Sequence, residues 1–89
     1  MEKTINEMYL EKMVNSKVWM YRLMIASHMD TPAEYLAKLS DDDYWLVRCE
    51  VATNPNTLEK DVIKLTEDED SRVREVAQIE LERRRNQER

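Results

Sequence analysis

The chain repeats itself with a period of 26 residues. Shifting the sequence by that offset places Tyr9 on Tyr35. Two residue types recur in all three copies, and they are Lys12, Lys38 and Lys64 together with Arg22, Arg48 and Arg74. A fixed period of about 20–50 residues is typical of repeat proteins, in which each unit has an apolar face that only a neighbouring unit covers. We therefore predict a single domain over residues 1–89, with repeats at 5–30, 31–56 and 57–82 and a basic helix end at 83–89.

The absence of glycine narrows the fold class. The 89 residues include no glycine and two prolines. Phosphate-binding loops, dinucleotide-binding turns and the nucleophile elbow of hydrolases need backbone conformations that glycine supplies. Tight β-hairpins have the same requirement. The sequence therefore predicts an all-α protein of about six helices, some of them short enough to be partly 3₁₀, and no strand.

Each unit has the pattern of a helical hairpin. In the second unit, Thr31–Glu34 matches a capping box with proline at the first helical position. The polar stretch 40–43 ends that helix and caps the next one, predicted at about 44–53. Thr57 is the corresponding predicted cap in the third unit, and Thr4 begins a looser capping box in the first. Together the units predict a short α-solenoid of three hairpins.

The second unit also carries a family pattern. The residues that form this pattern are Thr31-Pro32, Leu36, Leu39, Asp42, Val47-Arg48, Val51-Ala52 and Asn54-Pro55. This pattern resembles the variant leucine-rich repeat and is similar to HEAT-like repeats, which share an aspartate at the inter-helix turn and a Val-Arg pair early in the second helix. The first unit departs from it because Ser16 replaces the aspartate, and the third unit continues as helix in the manner of a terminal cap. The resemblance implies a right-handed superhelical stack that binds proteins and performs no chemistry of its own.

The resemblance also implies a role for the three repeated arginines. They would hydrogen-bond to the inter-helix turns, with Asp42 and Asp68 as acceptors, and so tie successive units together. The alternative is an arginine series that grips an acidic partner, so Arg48 stays a candidate partner-binding residue. The three repeated lysines lie beside inward leucines and are predicted to form a solvent-facing stripe.

Acidic residues concentrate in the middle of the chain. Residues 31–70 carry four basic and eleven acidic side chains, a net charge of −7, against −5 for the whole chain. Stacked helices lie about 8–10 Å apart, so two acidic turns would line one edge. Capping accounts for one or two acids per turn, and the surplus predicts either a solvated edge or a surface that docks on a basic partner. In these exposed turns we expect ordinary pKa values. The candidate partner-binding carboxylates are Asp41, Asp42, Asp43, Glu67, Asp68, Glu69 and Asp70.

Aromatic and methionine side chains supply a second candidate surface. Trp19 and Trp45 occupy equivalent positions and are predicted to share core packing, with Trp45 as a binding anchor in the alternative interpretation. The methionines either fill an irregular core, form an adaptable groove for a partner, or support self-association as a homodimer. They cluster in the first unit as Met8, Met13, Met20, Met24 and Met29.

The sequence gives no support for enzyme activity, metal binding or a membrane-spanning segment. One cysteine, Cys49, and one histidine, His28, are too few for a structural zinc site or an internal disulfide. A nucleophilic cysteine needs a nearby base, and His28 ends a different unit. The apolar stretch Val18–Ala26 is interrupted by Arg22 and is about half the length of a membrane helix, and no signal peptide is evident. We predict no enzyme activity, no catalytic residue, no cofactor and no metal, in a cytoplasmic protein.

These observations predict a non-enzymatic protein-binding module. It would act as an adaptor or inhibitor through a groove of second-helix side chains. The alternative is an acidic decoy that occupies the basic nucleic-acid-binding surface of a partner protein. Direct nucleic-acid binding through residues 83–89 is disfavoured by the acidic middle of the chain. Its predicted terminal caps lead us to expect a complete protein, and a fragment of a longer repeat array is the alternative.

Overall fold

The computed structural model describes residues 5–88 and contains six α-helices and no strand in that range. The prediction of an all-α protein with six helices is confirmed, and none of these helices is assigned as 3₁₀. The helices are α1 Ile5–Val14, α2 Trp19–Ser27, α3 Ala33–Leu39, α4 Trp45–Thr53, α5 Glu59–Leu65 and α6 Ser71–Gln87.

The second helices of the three units form the centre of the molecule. Helix α4 packs against α2 on one side and α6 on the other, while α1 packs on α2 and α5 packs on α6. The molecule measures 39 × 28 × 16 Å along its principal axes. Its core consists of aliphatic side chains that recur at equivalent places, with fully buried Leu36, Leu39, Val47, Val51, Val62, Leu65 and Val73.

Two buried threonines join each first helix to the unit before it. Thr31 donates its hydroxyl to the carbonyl of Ile25 at 2.7 Å, and Thr57 donates to Val51 at 2.6 Å. The last carbonyls of a helix have no hydrogen-bond donor within the helix, and these threonine hydroxyls act as donors to them. Helices α3, α4 and α5 begin without a side-chain cap. The capping roles predicted for Thr31, for the polar stretch 40–43 and for Thr57 are therefore wrong. The predicted capping box at Thr4 begins outside the described residues.

Asn54 makes the corresponding connection from α4 back to α2. Its amide nitrogen donates to the carbonyls of Ala26 and His28, both at 2.9 Å, and its amide oxygen accepts from the backbone of Asn56 at 2.9 Å. The side chain is buried, so these bonds satisfy groups that water does not reach. Asn54 therefore connects two units as well as ending a helix.

In the third unit a longer helix takes over this role. Helix α6 runs to Gln87 and so includes most of the predicted basic helix end at 83–89. Arg84 donates to the carbonyls of Thr57 at 2.7 Å and Asn54 at 3.0 Å, and it also pairs with the buried Glu80 at 2.8 Å. Burial opposes ionisation of Glu80, but hydrogen bonds from Arg83 and Arg84 outweigh it and lower the pKa of that carboxyl. Part of the basic helix end is thus used to hold α6 in place.

Candidate protein-binding surfaces

The first unit is joined to the second through Arg22. Its Nε donates to Oδ2 of Asp42 at 2.6 Å and its Nη2 donates to Oδ1 at 3.2 Å. Its Nη1 donates to the backbone carbonyl of Ser16 at 2.7 Å. A guanidinium group held by two carboxylate oxygens and one carbonyl is fixed in position and direction.

The same arrangement recurs 26 residues later. Arg48 donates through Nε and Nη2 to the carboxylate of Asp68 at 2.8 and 3.1 Å, and through Nη1 to the carbonyl of Asp42 at 2.6 Å. The side chains of Arg48 and Asp68 are only 8% and 9% exposed. The hydrogen bond to Asp68 outweighs burial and raises the pKa of Arg48. We call Arg22–Asp42 and Arg48–Asp68 the Arg–Asp ladder. It confirms the predicted acceptors, and it leaves little of Arg48 for a partner.

Arg74 occupies the third position of the series and differs from the other two. It donates to the turn carbonyls of Asp68 at 2.8 Å and Glu69 at 3.1 Å. Within the described residues it forms no ion pair with a carboxylate, because its equivalent acceptor would belong to a fourth unit. The Arg–Asp ladder therefore consists of two ion pairs, and the third arginine of the series has no aspartate opposite it in the described part of the chain.

The acidic turns divide into structural and exposed carboxylates. Asp42 and Asp68 belong to the Arg–Asp ladder, and Asp70 caps α6 by accepting from the backbone of Arg72 at 2.8 Å. The remaining acidic side chains are exposed, and Lys64 pairs with Asp41 at 2.7 Å between the two turns. A cleft of about 420 Å³ runs along this edge. The exposed acidic group is Asp41, Asp43, Glu67 and Glu69.

Asp70 also departs from the predicted behaviour of these turns. Arg72 holds it through hydrogen bonds from Nε at 3.0 Å and Nη2 at 2.7 Å. The side-chain hydrogen bond from Arg72 is the main reason that the pKa of Asp70 is lowered to about 2, against the opposing effect of burial. The prediction that nothing in the turns shifts a pKa is wrong for this residue, because a cation two residues along the same helix end reaches back to it.

This shift predicts a specific loss of stability in acid. Because the pKa of Asp70 is lower in the folded chain than the ordinary value of about 3.9, its contribution is fully present above that value and is lost as the pH falls toward about 2. We expect Asp70→Asn to lower the melting temperature near neutral pH and the difference from the native chain to disappear near pH 2. Thermal unfolding followed by circular dichroism across this range measures it. An unchanged difference at low pH would show that Asp70 acts through shape and not charge.

Trp45 lies in a series of rings that ends on a cation. Tyr44 contacts Trp19 edge to face at 4.8 Å between centroids and Trp45 at 6.2 Å. The guanidinium carbon of Arg72 lies 3.5 Å from the centroid of the Trp45 ring. Tyr44 thus links the two tryptophans, but Trp19 is 40% exposed, so the predicted core packing is wrong for Trp19. Arg72 continues the series where the third unit has no aromatic residue. One face of Trp45 is covered by Arg72, and the residue is half-buried.

An apolar row crosses the surface of the three second helices. Met20 and Met24 are exposed on α2, and Ile79 is exposed on α6. On α4, Leu46 is half-buried at the position of Met20, and on α6, Val76 is half-buried at the position of Met24, while the charged Glu50 and Arg72 occupy the other two equivalent positions. Since α2 packs on α4 and α4 on α6, these positions share one surface. We call them the second-helix row. Of the predicted roles for methionine, Met13 fills the core and Met20 and Met24 belong to an exposed surface.

Other candidate sites are not assembled. Cys49 is buried, and this burial raises the pKa of its thiol, which disfavours the nucleophilic thiolate. Within the described part of the chain, no three His, Cys, Asp or Glu side chains come together as a metal site would require. None of the helices in residues 5–88 combines the length and hydropathy needed to cross a bilayer.

Comparison with known proteins gives no relative. No protein-family model, no curated protein and no solved structure matches this chain. The resemblance to variant leucine-rich and HEAT-like repeats stays a prediction based on its own residues.

Proposed function

We propose that the protein is a non-enzymatic protein-binding module, an adaptor or inhibitor built as a short α-solenoid of the variant leucine-rich or HEAT-like kind. The second-helix row is the observation that carries this proposal. The recurrence of the Arg–Asp ladder and of the threonine bonds at the 26-residue offset supports the stacked arrangement.

The second-helix row has the chemistry of a binding surface. Apolar side chains exposed together on a soluble protein are typical of interaction sites, and methionine adapts its shape to a partner. The acidic turns precede α4 and α6, so exposed carboxylates such as Asp43 and Glu69 lie at the ends of those helices. The partner that fits is a protein segment with apolar side chains flanked by lysine or arginine. Apolar contact would supply affinity, and charge would favour the approach.

Introducing a negative charge into the second-helix row tests this function. We expect Met20→Glu and Ile79→Glu each to reduce partner retention at least about tenfold in pull-downs from the source lysate, because burying an unpaired carboxylate opposes docking. Retention is measured by quantitative mass spectrometry against the native chain. The partner should remain bound at about 0.5 M salt, where charges are screened beyond a few Å.

Ile63→Glu is the matched control for these variants. Ile63 is exposed on α5, away from the second-helix row. It should retain the partner as the native chain does, and circular dichroism confirms that every variant is folded. Equal losses in all variants, or a partner unaffected by Met20→Glu and Ile79→Glu, would contradict binding through the row.

The acidic decoy is the second candidate, and the cleft between the acidic turns favours it. Its exposed carboxylates could face a basic surface that normally binds nucleic acid. The acidic surface is smaller than the sequence predicts, because Asp42, Asp68 and Asp70 are already held by arginines. The same pull-down separates the two functions. A decoy loses its partner at high salt and when the exposed acidic group is neutralised by Asp→Asn and Glu→Gln changes, while Met20→Glu leaves binding intact.

A further inference from the structure

The two ends of the molecule are chemically different. At the position of Tyr9, the second and third units have Tyr35 and Asp61, which are 9% and 7% exposed because the preceding unit covers them. Tyr9 itself is 62% exposed. The first unit thus presents an aromatic side chain at a place that stacking covers elsewhere.

A second position repeats this contrast on α2. Tyr21 is 47% exposed, while its equivalents Val47 and Val73 are completely buried. Between α1 and α2 lies a cleft of about 460 Å³ that Tyr9 and Met24 line together with core residues such as Met13. We call the surface formed by Tyr9, Tyr21 and this cleft the leading end.

The opposite end of the molecule is polar. Ala26 and Ala52 are completely buried where the next unit packs on them, and the third unit has the exposed Gln78 at that position. Exposed Glu75 stands where the second unit has the buried Cys49. This end resists further apolar stacking.

Stacking the leading end of one copy on the polar end of another is therefore disfavoured. In such a contact, Arg74 of one copy, which pairs with no carboxylate among the described residues, would face the first inter-helix turn of the next copy. At the position of Asp42 and Asp68, that turn has Ser16 in place of aspartate. The guanidinium would lose water and gain no carboxylate. Of the contacts between ends, the one that joins two leading ends remains, and it is closed and two-fold symmetric.

Charge supports the same contact. Residues 5–30 carry three acidic and three basic side chains, for a net charge of zero, while the chain as a whole has −5. Two copies that meet at their first units bring neutral surfaces together and keep the acidic turns of their other units away from the contact. Any contact between the acidic edges would be opposed by repulsion.

We propose that the leading end is the interface of a symmetric homodimer. The occupant of the cleft is a side chain of the second copy, and methionine and tyrosine from the two first units pack across the two-fold axis. Sulfur–aromatic contacts are favourable in such a setting. The leading end shares Met24 with the second-helix row. Its test uses Tyr9 and Tyr21, which lie outside that row, and the inference does not rest on the proposed function.

Analytical ultracentrifugation of the full chain tests the dimer. The expected mass is twice the monomer mass of 10.7 kDa over micromolar to submillimolar concentrations, with no larger species as concentration rises. Tyr9→Lys and Tyr21→Lys should each raise the dimer dissociation constant at least about tenfold. The native dimer should persist at about 0.5 M salt, because its interface is apolar.

Leu58→Lys supplies the control with the same exposure. Leu58 is 47% exposed, as Tyr21 is, but it lies in the third unit. It should leave the dimer intact. A native chain that is monomeric at submillimolar concentration would overturn the proposal, and so would growth into longer polymers or a dimer that Leu58→Lys weakens as much as Tyr21→Lys does. Partner retention by the second-helix row is measured separately, so failure of the dimer is distinguishable from failure of the binding function.

Discussion

Arg48→Ala should destabilise the protein by about 3–5 kcal/mol, because it leaves the buried carboxylate of Asp68 without its cation. The substitution also removes the hydrogen bond that the guanidinium donates to the backbone carbonyl of Asp42. A domain of this size has a total stability of about 5–15 kcal/mol, so the variant would lose a large fraction of it. Urea denaturation followed by circular dichroism measures the change.

The repeat provides matched controls for this prediction. Arg74→Ala removes an equivalent arginine that bonds to turn carbonyls but not to a carboxylate, so we expect a loss of about 1 kcal/mol. Combining Arg48→Met with Asp68→Asn removes both charges while keeping an acceptor for the backbone of Asp70. This double variant should be more stable than Arg48→Ala. If Arg48→Ala and Arg74→Ala cost the same, the ion pair contributes nothing beyond the backbone bonds.

The acceptors in the Arg–Asp ladder were predicted from the resemblance to variant leucine-rich and HEAT-like repeats, and the fixed offset explains why the same contact forms twice. An arginine and an aspartate that repeat with the same period must meet in the same way in each unit, provided that the units stack. The helices were predictable for a similar reason, since the periodic apolar residues and the absence of glycine leave few alternatives. Repetition thus carries information about contacts between units that a single copy lacks.

Local side-chain geometry was less accessible from the sequence. Thr31 followed by proline has the composition of a cap, yet its hydroxyl reaches the end of the preceding helix because it is buried there. Arg72 is one charge among many, yet it both pairs with Asp70 and covers Trp45. Each choice depends on which acceptor or ring tertiary packing brings within reach. Composition and spacing do not specify how far these side chains lie from each possible acceptor or ring.

The extent of the candidate surfaces was also not predictable from the sequence alone. Seven carboxylates could be counted in the turns, but separating the exposed acidic group from the structural carboxylates required knowing which arginines reach them. The leading end likewise emerges only when exposure is compared between equivalent positions, as for Tyr9 and Tyr35. Sequence repetition identifies the equivalent residues, and the structure determines which of them has lost its neighbour.

The same comparison between units predicts that Asp61→Leu stabilises the protein by about 1–2 kcal/mol. Asp61 is buried, and its Oδ2 has no hydrogen-bond partner among the described residues. An unsatisfied buried polar group costs about 1–3 kcal/mol, and the favourable position of an acid in the first turn of α5 returns about 0.3–1 kcal/mol of that. The second unit has Tyr35 at this place, which indicates that the site between units accepts an apolar side chain.

Urea denaturation of Asp61→Leu, Asp61→Asn and Asp43→Leu tests this prediction. The asparagine variant keeps a polar group in the same place and should gain little, while Asp43 is exposed and its replacement should change stability by less than about 0.5 kcal/mol. A gain restricted to Asp61→Leu means that the carboxylate costs folding energy at a position where the repeat favours an apolar residue. A loss of stability in Asp61→Leu would instead mean that this carboxylate has a partner in solution, such as a bound water or cation, that stabilises the contact between the second and third units.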